Sequence, residues 1–574
     1  MRTATLLPLL AAAAAQALDP LVDVGYAKYR GFADGDVTKW FGVRFAAPPT
    51  GENRFREPQD PEPIADIVDA KTQGPICPPQ QPGDFTVSED APDRFTVDED
   101  CLFLSVTAPS NAENRPVLFW IQGGGFTSNS NANYNASALA SDGDIVVVQI
   151  NYRVGMYGFL QSSEVVADGS LNAGIKDMIK ALEWVQAHIS KFGGDPSRVV
   201  IDGISAGGSA VALLLAANKG ALGNKLFAGG ILESGGWTTM RTLAQGQEQY
   251  DCLAKEKNCA DATEGSLACL RALNASAVRS SNCWFGPHID DDLFTGSLFD
   301  MYAAGAVARV PTIMGACANE GTKYSAPEDT NSTEDANAYF AGQDPTLTDA
   351  SLAVMDALYV DQPAPVFPGK GAKWRQAANA IADVGTHCII RVLQNALADA
   401  GSPTWAYKYA VRDPKDEADG YGAWHVVNMY AIFGPNNTDG GPPASYLEGG
   451  ENAPAVGLTR AYWTSFVKNL DPNTDRAEGA PEWDQWSGWE GRERLVIETG
   501  KTRMERMSDA QALRCEATYE FSEALGAPRS GDDKTELDKA KADEALAAKD
   551  CGFDNGCKGA VTVSRRKRRG GFRA

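Results

Sequence analysis

The sequence predicts an α/β protein with a large, mostly parallel central sheet flanked by helices on both faces. Short apolar strands and helical stretches alternate from about Tyr26 to Phe521, and loops rich in glycine, proline and polar residues separate them. Two of these strands, 116–121 and 145–150, are continuously apolar, which is typical of strands buried on both faces of a sheet. No repeat of fixed period is present, so the alternation indicates one α/β domain.

The first 17 residues are typical of a secretory signal peptide. They carry one positive charge, a short apolar run and the small-x-small end Ala15-Gln16-Ala17. The run is too short to span a bilayer, and no later stretch reaches the roughly 18 to 20 apolar residues that a spanning helix needs. We therefore expect a secreted, extracellular protein with no membrane span, whose mature chain begins near Leu18.

Composition narrows the possible partners. The formal net charge of −23 over 574 residues argues against nucleic acid, because phosphate binding requires a basic face. Solubility is the simpler explanation of this charge. In a secreted chain, four N-x-S/T sequons would also be candidate glycosylation sites. These are Asn135, Asn274, Asn331 and Asn436.

A serine flanked by glycines, Ser205, is the residue around which the rest of the chain is organised. Residues 199–201 form a short β-branched run, Gly203 and Gly207 flank Ser205 as G-x-S-x-G, and an alanine- and leucine-rich run follows. This order of strand, sharp turn and helix predicts a nucleophile elbow. A glycine-flanked serine in an ordinary loop is the alternative, because 57 glycines give roughly a few tenths of a chance occurrence of the motif.

The elements around this motif are also predicted. Residues 171–192 form an amphipathic pattern that ends at Gly193, which indicates a helix before the elbow. The inner face of this helix would carry Leu182, Trp184, Val185 and Ile189. Residues 310–315 predict a further strand of the sheet.

Several motifs in chain order resemble the type-B carboxylesterase/lipase family, the cholinesterase-like branch of the α/β-hydrolases. The match runs from about Tyr26 to Cys515 and is closest in appearance to secreted fungal carboxylesterases and lipases. The motifs lie at Cys77 and at residues 99–106, 122–126, 151–155, 192–196 and 203–207. The resemblance implies an α/β-hydrolase fold, a small-molecule ester substrate, and neither a metal nor an organic cofactor.

The resemblance also assigns the general base and the acid that serine ester hydrolysis requires. His425 lies in the segment 422–434, which resembles the segment carrying the family's catalytic histidine. Glu320 matches the catalytic glutamate and follows the strand predicted at 310–315, at the sheet edge where such folds carry their sites. Ser205, Glu320 and His425 then stand in the Ser, acid, His order of α/β-hydrolases. The other histidines are interpreted as packed or surface residues: His188, His288 and His387.

By the same resemblance, the N–H groups of Gly124, Gly125 and Ala206 would form the oxyanion hole. A glycine run directly after a core strand can bring its N–H groups close to a carbonyl oxygen, although it can also be a simple tight turn. Trp284 and Phe285 resemble the region that shapes the acyl pocket, and core aromatic residues are the alternative.

One departure from the family concerns the residue before the nucleophile, which is Ile204 where the family often has glutamate. Arg153 would then lack that acid as a partner, and a buried unpaired arginine is costly. We therefore expect another acid, which the sequence does not identify, to pair with Arg153.

The eleven cysteines are too sparse for a disulfide-built scaffold, so they should staple a chain that already has a core. The family pattern implies the pairs Cys77–Cys101, Cys259–Cys269 and Cys388–Cys515. Elimination then suggests Cys252–Cys283 and Cys551–Cys557, with Cys317 left as a buried free thiol, although counting cannot fix the connectivity.

The loop between Cys77 and Cys101 bears on the substrate, since in family members it covers the gorge. Its apolar residues are scattered among acidic ones, and it lacks the tryptophan with which cholinesterases bind a quaternary ammonium. We therefore expect a secreted serine hydrolase that prefers soluble neutral esters. The alternatives are an interfacially activated lipase and a non-catalytic cholinesterase-like binding or adhesion protein.

Beyond the catalytic domain, expected over 18–527, residues 528–574 are charged and poor in apolar side chains. This composition predicts a disordered tail, which ends in a basic run from Arg565. The sequence does not indicate an oligomeric state.

Overall fold

The structure is a computed structural model that describes residues 18–80, 96–128, 134–236, 240–343, 347–438, 441–488 and 491–526. The signal peptide predicted at 1–17 and the tail predicted at 528–574 lie outside the described residues, as does the pair suggested between Cys551 and Cys557.

Most strands are short and apolar, as the alternation in the sequence predicts. In chain order they are β1 (Leu21–Asp23), β2 (Lys28–Arg30), β3 (Phe32–Asp34), β4 (Val37–Arg44), β5 (Ile67–Asp69), β6 (Phe103–Pro109), β7 (Arg115–Ile121), β8 (Val146–Ile150), β9 (Gly194–Ile204), β10 (Gly229–Glu233), β11 (Thr312–Cys317), β12 (Thr404–Tyr409), β13 (Glu493–Ile497) and β14 (Arg503–Arg506).

Eleven of these strands form one mixed sheet in the order β14-β13-β12-β11-β10-β9-β7-β8-β6-β4-β3, and β1, β2 and β5 form a small separate sheet. The central strands from β8 to β13 pair in parallel, whereas β14 at one edge and β6, β4 and β3 at the other pair antiparallel. Helices lie around the large sheet, so the predicted α/β-hydrolase architecture is confirmed.

The helices range from single turns to five turns. In chain order they are α1 (Ser137–Gly143), α2 (Gly155–Phe159), α3 (Ser163–Asp168), α4 (Ala173–His188), α5 (Ala206–Ala216), α6 (Leu243–Glu256), α7 (Ser266–Ala272), α8 (Ala275–Arg279), α9 (Leu298–Ala303), α10 (Thr333–Gln343), α11 (Asp349–Met355), α12 (Trp374–Ala382), α13 (Cys388–Asp399), α14 (Pro414–Ala418), α15 (Met429–Ile432), α16 (Ala453–Asn469) and α17 (Asp509–Gly526).

Strand β7 shows why the continuous apolar runs are central. Phe119 packs into the core shared with α4 and α5, while its neighbour Trp120 packs into the core on the opposite face, shared with α1 and α16. Successive side chains of a strand point to opposite faces, so a strand covered on both faces must be apolar throughout.

The helix predicted at 171–192 is observed as α4 followed by a 3-10 turn, Ile189–Phe192, which ends at Gly193 in the left-handed region at φ 84°. Its predicted inner face is buried. The elbow strand is longer than the 199–201 run, because β9 already pairs with β7 at Gly194. Among the described residues, no helix combines the length and the apolar character needed to cross a bilayer.

Four disulfides staple the described part of the chain. Three of them pair the cysteines as the resemblance implies: Cys77–Cys101, Cys259–Cys269 and Cys388–Cys515. The fourth, Cys252–Cys283, joins the pair suggested by elimination. Cys317 is buried and is the free cysteine among the described residues.

Candidate active site

Ser205 occupies the sharp turn between β9 and α5, with φ 58° and ψ −124°. This conformation is strained for a residue with a Cβ and is maintained by tight packing around it. A Cβ on Gly203 would lie 2.4 Å from the carbonyl oxygen of Gly207, and one on Gly207 would lie 2.0 Å from that of Ile121. Both glycines of the motif are therefore required by close backbone approach, as expected of an elbow.

His425 lies within hydrogen-bonding distance of this serine, although 220 residues separate them in the sequence. Its Nε2 is 2.9 Å from the Oγ of Ser205. The histidine is held in a tight turn, in which Val426 adopts a positive φ of 68° and the adjoining Trp424 pairs with Asn319 as an isolated bridge. The turn thereby places the imidazole over the elbow.

Glu320 lies on the other side of the imidazole, in the loop after β11. Its Oε2 is 2.5 Å from the Nδ1 of His425, and its Oε1 accepts hydrogen bonds of 2.6 Å from the Ser234 hydroxyl and the Cys317 N–H. Burial alone would raise the pKa of Glu320. Attraction to His425 and the hydrogen bonds from His425 and Ser234 outweigh that effect, so this pKa lies below its ordinary value.

The hydrogen bonds that join His425 to Glu320 and to Ser205 fix the direction of proton transfer. An ionised Glu320 can only accept, so the Nδ1 of His425 donates to it and the Nε2 faces Ser205 as a hydrogen-bond acceptor. The arrangement can therefore remove the proton from the Oγ of Ser205 and stabilise the imidazolium that results.

Three backbone N–H groups near Ser205 can bind a negatively charged oxygen. A Cβ on Gly123 would lie 2.9 Å from the Cβ of Ser205, which places the glycine run against the nucleophile. Gly124 and Gly125 adopt positive φ values of 116° and 62°, a turn that glycine forms without strain. Within the described part of the chain, the N–H groups of Gly124, Gly125 and Ala206 donate no hydrogen bond to the protein. They are free to bind a ligand.

The acid that Arg153 requires is Asp177, on α4. Both side chains are buried, and the guanidinium Nε and NH2 donate to the two carboxylate oxygens at 2.8 and 2.6 Å. The Arg153 NH1 donates to the carbonyl of Arg56 at 2.6 Å. The expectation that another acid would pair with Arg153 is therefore confirmed, and Ile204 packs as an apolar core residue.

Trp284 and Phe285 differ in their surroundings. Phe285 is buried in the main core, whereas the Trp284 ring is 37% exposed and stacks under the guanidinium of Arg241 at 4.4 Å. No hydrogen bond or ring contact of the described residues joins either side chain to Ser205, Glu320 or His425. Their assignment to a substrate pocket stays a prediction.

The other three histidines have packing partners of their own. His288 is fully buried with its Nδ1 3.1 Å from the carbonyl of Gly286, and burial lowers its pKa to about 4. His188 packs edge-on against Tyr26, and His387 lies 3.1 Å from Asp383.

Sequence reasoning missed the dipeptide Glu233-Ser234 at the end of β10. Ser234 donates to Glu320, and the carbonyl of Glu233 accepts the N–H of Ser205 at 2.8 Å. The available signal is its position, because polar residues directly after an apolar strand of a parallel sheet lie at the edge that carries the site.

Other candidate sites can be placed as well. The four sequon asparagines are all exposed. One group of three metal-ligand side chains lies close together in the described residues, Cys252, Glu256 and Cys283, but its two thiols form a disulfide.

The chain is similar to known ester hydrolases along almost its whole length. A family model described as "Carboxylesterase family" matches residues 19–516. The para-nitrobenzyl esterase of Bacillus subtilis is 30% identical over 83% of this chain and 95% of its own. Secreted lipase 1 of Botryotinia fuckeliana is 30% identical over 80% of this chain and 85% of its own. The crystal structure of Aspergillus niger EstA is 34% identical, with a TM-score of 0.81 over 88% of this chain and 99% of its own.

Proposed function

Since the chain belongs to the carboxylesterase family and is a carboxylic-ester hydrolase, we propose that it cleaves esters through an acyl-enzyme formed on Ser205. The observation that carries this assignment is the continuous line of contacts from the Oγ of Ser205 through His425 to the buried carboxylate of Glu320.

In the first half of the reaction, the Oγ of Ser205 attacks the ester carbonyl while its proton passes to the Nε2 of His425. The imidazolium is stabilised by Glu320, and the carbonyl oxygen, now negative, accepts hydrogen bonds from the N–H groups of Gly124, Gly125 and Ala206. When the tetrahedral intermediate collapses, the C–O bond to the alcohol breaks and His425 returns the proton to the leaving oxygen.

In the second half, water takes the place of the alcohol. His425 removes a proton from the water as it attacks the acyl carbon, and the same three N–H groups bind the oxyanion again. Collapse breaks the bond to Ser205, which recovers its proton from His425, and the carboxylic acid leaves. Each half needs the same three side chains and neither consumes a cofactor.

The assignment is tested by Ser205→Ala together with an organophosphate. We expect the variant to fold but to lose at least about a thousandfold in kcat, since removal of a triad nucleophile usually costs several orders of magnitude. The inhibitor should label one serine, located by mass spectrometry of the digest. If Ser205→Ala keeps more than about a tenth of the wild-type kcat, or if the label maps elsewhere, Ser205 is not the nucleophile.

For the substrate, we propose a preference for dissolved, neutral, short- to medium-chain or aryl esters. The acidic composition of the loop between Cys77 and Cys101 supports this substrate preference. Residues 81–95 of the loop lie outside the described part of the chain. At its base, Glu99 and Asp100 are held in ion pairs with Arg54 and Arg44, so these two acids belong to an anchored stem.

The second candidate is an interfacially activated lipase, which the name of the Botryotinia relative favours. The two are separated by measuring rate against concentration of a short-chain ester carried through its solubility limit. Smooth saturation supports the soluble-ester preference, and a jump when droplets form identifies a lipase. A non-catalytic binding role is disfavoured because Ser205, Glu320 and His425 are all present and in contact.

We also propose that the protein is secreted, with residues 1–17 as signal peptide, 18–527 as the catalytic domain and 528–574 as a tail. The exposed sequon asparagines and the disulfides support this proposal, since disulfides persist in oxidising compartments. Secretion into the medium, and a mass shift on treatment with an endoglycosidase, would test it.

A further inference from the structure

A second group of buried acids lies beneath the proposed triad. Asp202 on β9 and Glu233 on β10 are both fully buried on neighbouring strands, close enough for each acid to affect the pKa of the other. Register places Asp202 beside Ile231 and Glu233 beside Ile204, so both side chains project into the core between the sheet and α16. No basic side chain of the described residues forms an ion pair with either acid.

The hydrogen bonds around the pair are unequal. Glu233 accepts from the indole N–H of Trp463 at 3.2 Å and from the Nδ2 of Asn428. Both carboxyl oxygens of Asp202 lack a hydrogen-bond partner in the described residues, and the nearby N–H of Gly203 offsets the effect of burial on the pKa of Asp202 only in part. A buried carboxylate without donors or a cation is very unfavourable, so the pair must hold a proton between its two acids.

The groups that face the pair do not supply a positive charge. Strand β7 contributes Trp120, which is the register neighbour of Asp202, and β11 contributes the Cys317 thiol, with Glu320 following. Gly315 is the register neighbour of both Glu233 on β10 and Tyr407 on β12. A Cβ on Gly315 would lie 2.3 Å from the Tyr407 ring, so this ring covers Gly315 and reaches toward Glu233. The α15 and α16 regions contribute the neutral Asn428 and Trp463. All these neighbours are neutral or acidic at pH 7.

Glu233 is connected to every member of the proposed triad. Its backbone carbonyl accepts the N–H of Ser205, and the next residue, Ser234, donates to Glu320. Its carboxyl group binds Asn428, three residues after His425 in the same tight turn. The fully buried Asn428 is fixed in orientation because its Oδ1 accepts from the Cys317 thiol at 3.4 Å.

We propose that Asp202 and Glu233 form a proton-sharing carboxyl pair that positions the triad, with Glu233 holding the His425 turn through Asn428. The positioning role rests on the proposed function, in which the turn carries the catalytic base His425. The shared proton does not depend on that function. Neither acid touches the reacting atoms, so both are positioning residues. When the last shared proton is lost, two like charges face each other in the core, and their repulsion should displace the Glu233 side chain that holds Asn428.

Burial raises the pKa of both acids, to about 8 for Asp202, and the proximity of Asp202 raises that of Glu233 further. Because the groups interact, the titration belongs to the pair. The wild-type kcat should therefore decline above about pH 8, and this alkaline limb should depend on Asp202.

The test compares pH profiles of kcat and KM for Glu233→Leu, Asp202→Asn and a control at the exposed Glu52, Glu52→Leu. Leucine fills similar space but removes the oxygens that accept from Asn428, so we expect Glu233→Leu to lower kcat about ten- to hundredfold with KM within about threefold. Asp202→Asn should keep kcat within about threefold at pH 7 and lose the alkaline limb. Glu52→Leu should match the wild type in both.

Asn428→Ala provides a matched check on the route from Glu233 to His425. Its loss of kcat should not add to that of Glu233→Leu in the double variant, because both substitutions remove the same hydrogen bond between residues 233 and 428. If Glu233→Leu and Asp202→Asn both keep the wild-type kcat and alkaline limb, or if the losses of Asn428→Ala and Glu233→Leu are additive, the pair does not position the triad.

The wild-type protein supplies a measurement that needs no variant to fold. A buried carboxylic acid should give an infrared carbonyl band at about pH 7 that disappears by about pH 10. Absence of this band at pH 7 would overturn the shared proton. Organophosphate labelling of the same sample separates the two proposals: an unlabelled Ser205 with the band present contradicts the triad assignment and leaves the carboxyl pair standing.

Discussion

Glu320 and Asp202 are both buried, yet their environments drive their ionisation in opposite directions. Glu320 accepts from His425, Ser234 and the backbone of Cys317, and its pKa lies below the ordinary value. The two carboxyl oxygens of Asp202 have no hydrogen-bond partner among the described residues, a second acid lies beside them, and burial raises the pKa of Asp202 to about 8. Burial penalises both charges, so donors and nearby charge decide which acid stays ionised.

Asp177 shows a third solution to the same problem. It is buried to the same degree and accepts two hydrogen bonds from the Arg153 guanidinium and one from the Arg153 backbone N–H. The comparison separates three uses of a buried acid in one chain: Glu320 orients a base in the proposed mechanism, Asp177 neutralises a cation, and Asp202 is proposed to share a proton. Each use predicts a different consequence when the acid is replaced by its amide.

Replacing Glu320 should have the largest effect. We expect Glu320→Gln to lower kcat by about ten-thousandfold with a small change in KM, because the amide cannot stabilise the imidazolium and favours the wrong tautomer of His425. The lowered pKa keeps Glu320 charged in mild acid, so protonation of this acid should not limit the wild-type kcat/KM there. Near-normal rates in the variant would remove Glu320 from the mechanism.

These acids also show which features of the structure could be predicted from the sequence and which could not. The apolar runs of β7 and β8 and the glycines around Ser205 follow from local rules, so the sheet and the elbow were predictable. Glu320 and His425 were found through their resemblance to family segments, and the structure brings them together. Their mutual distance depends on the loops that join β11 and β12 to the site, which no local pattern encodes.

The pairing of Asp177 with Arg153 and of Asp202 with Glu233 was not predictable. In both pairs the partners lie on different elements, and an acid on an apolar strand or helix carries no local sign of what it faces. The departure at Ile204 correctly indicated that Arg153 needed another acid, yet dozens of carboxylates could have served. For Asp202 and Glu233, the missing information is the register between β9 and β10, which places both acids on the same face of the sheet.

Breaking the Asp177 pair should affect stability more than catalysis. In Asp177→Asn the Arg153 charge stays buried without its counter-ion, which should reduce the free energy of unfolding by about 3 to 5 kcal/mol. Urea unfolding followed by tryptophan fluorescence measures this change, and Asp66→Asn at an exposed site is the control. The kcat of the folded variant should stay within about threefold of wild type. A loss of under about 1 kcal/mol would mean that the pair contributes little to the fold.

The Asp202 pair should give the smallest effect, and its sign depends on pH. Because the folded-state pKa of about 8 exceeds the ordinary 3.8, unfolding between these values releases a proton, so this group's stabilising contribution is lost as the pH rises toward 8. Asp202→Asn has no such proton. The difference in unfolding free energy between wild type and variant should therefore shift by about 1 to 3 kcal/mol from pH 5 to pH 8, in favour of the variant at the higher pH. Urea midpoints at several pH values measure it, and a difference that stays constant with pH would show that Asp202 does not keep a proton in the folded protein.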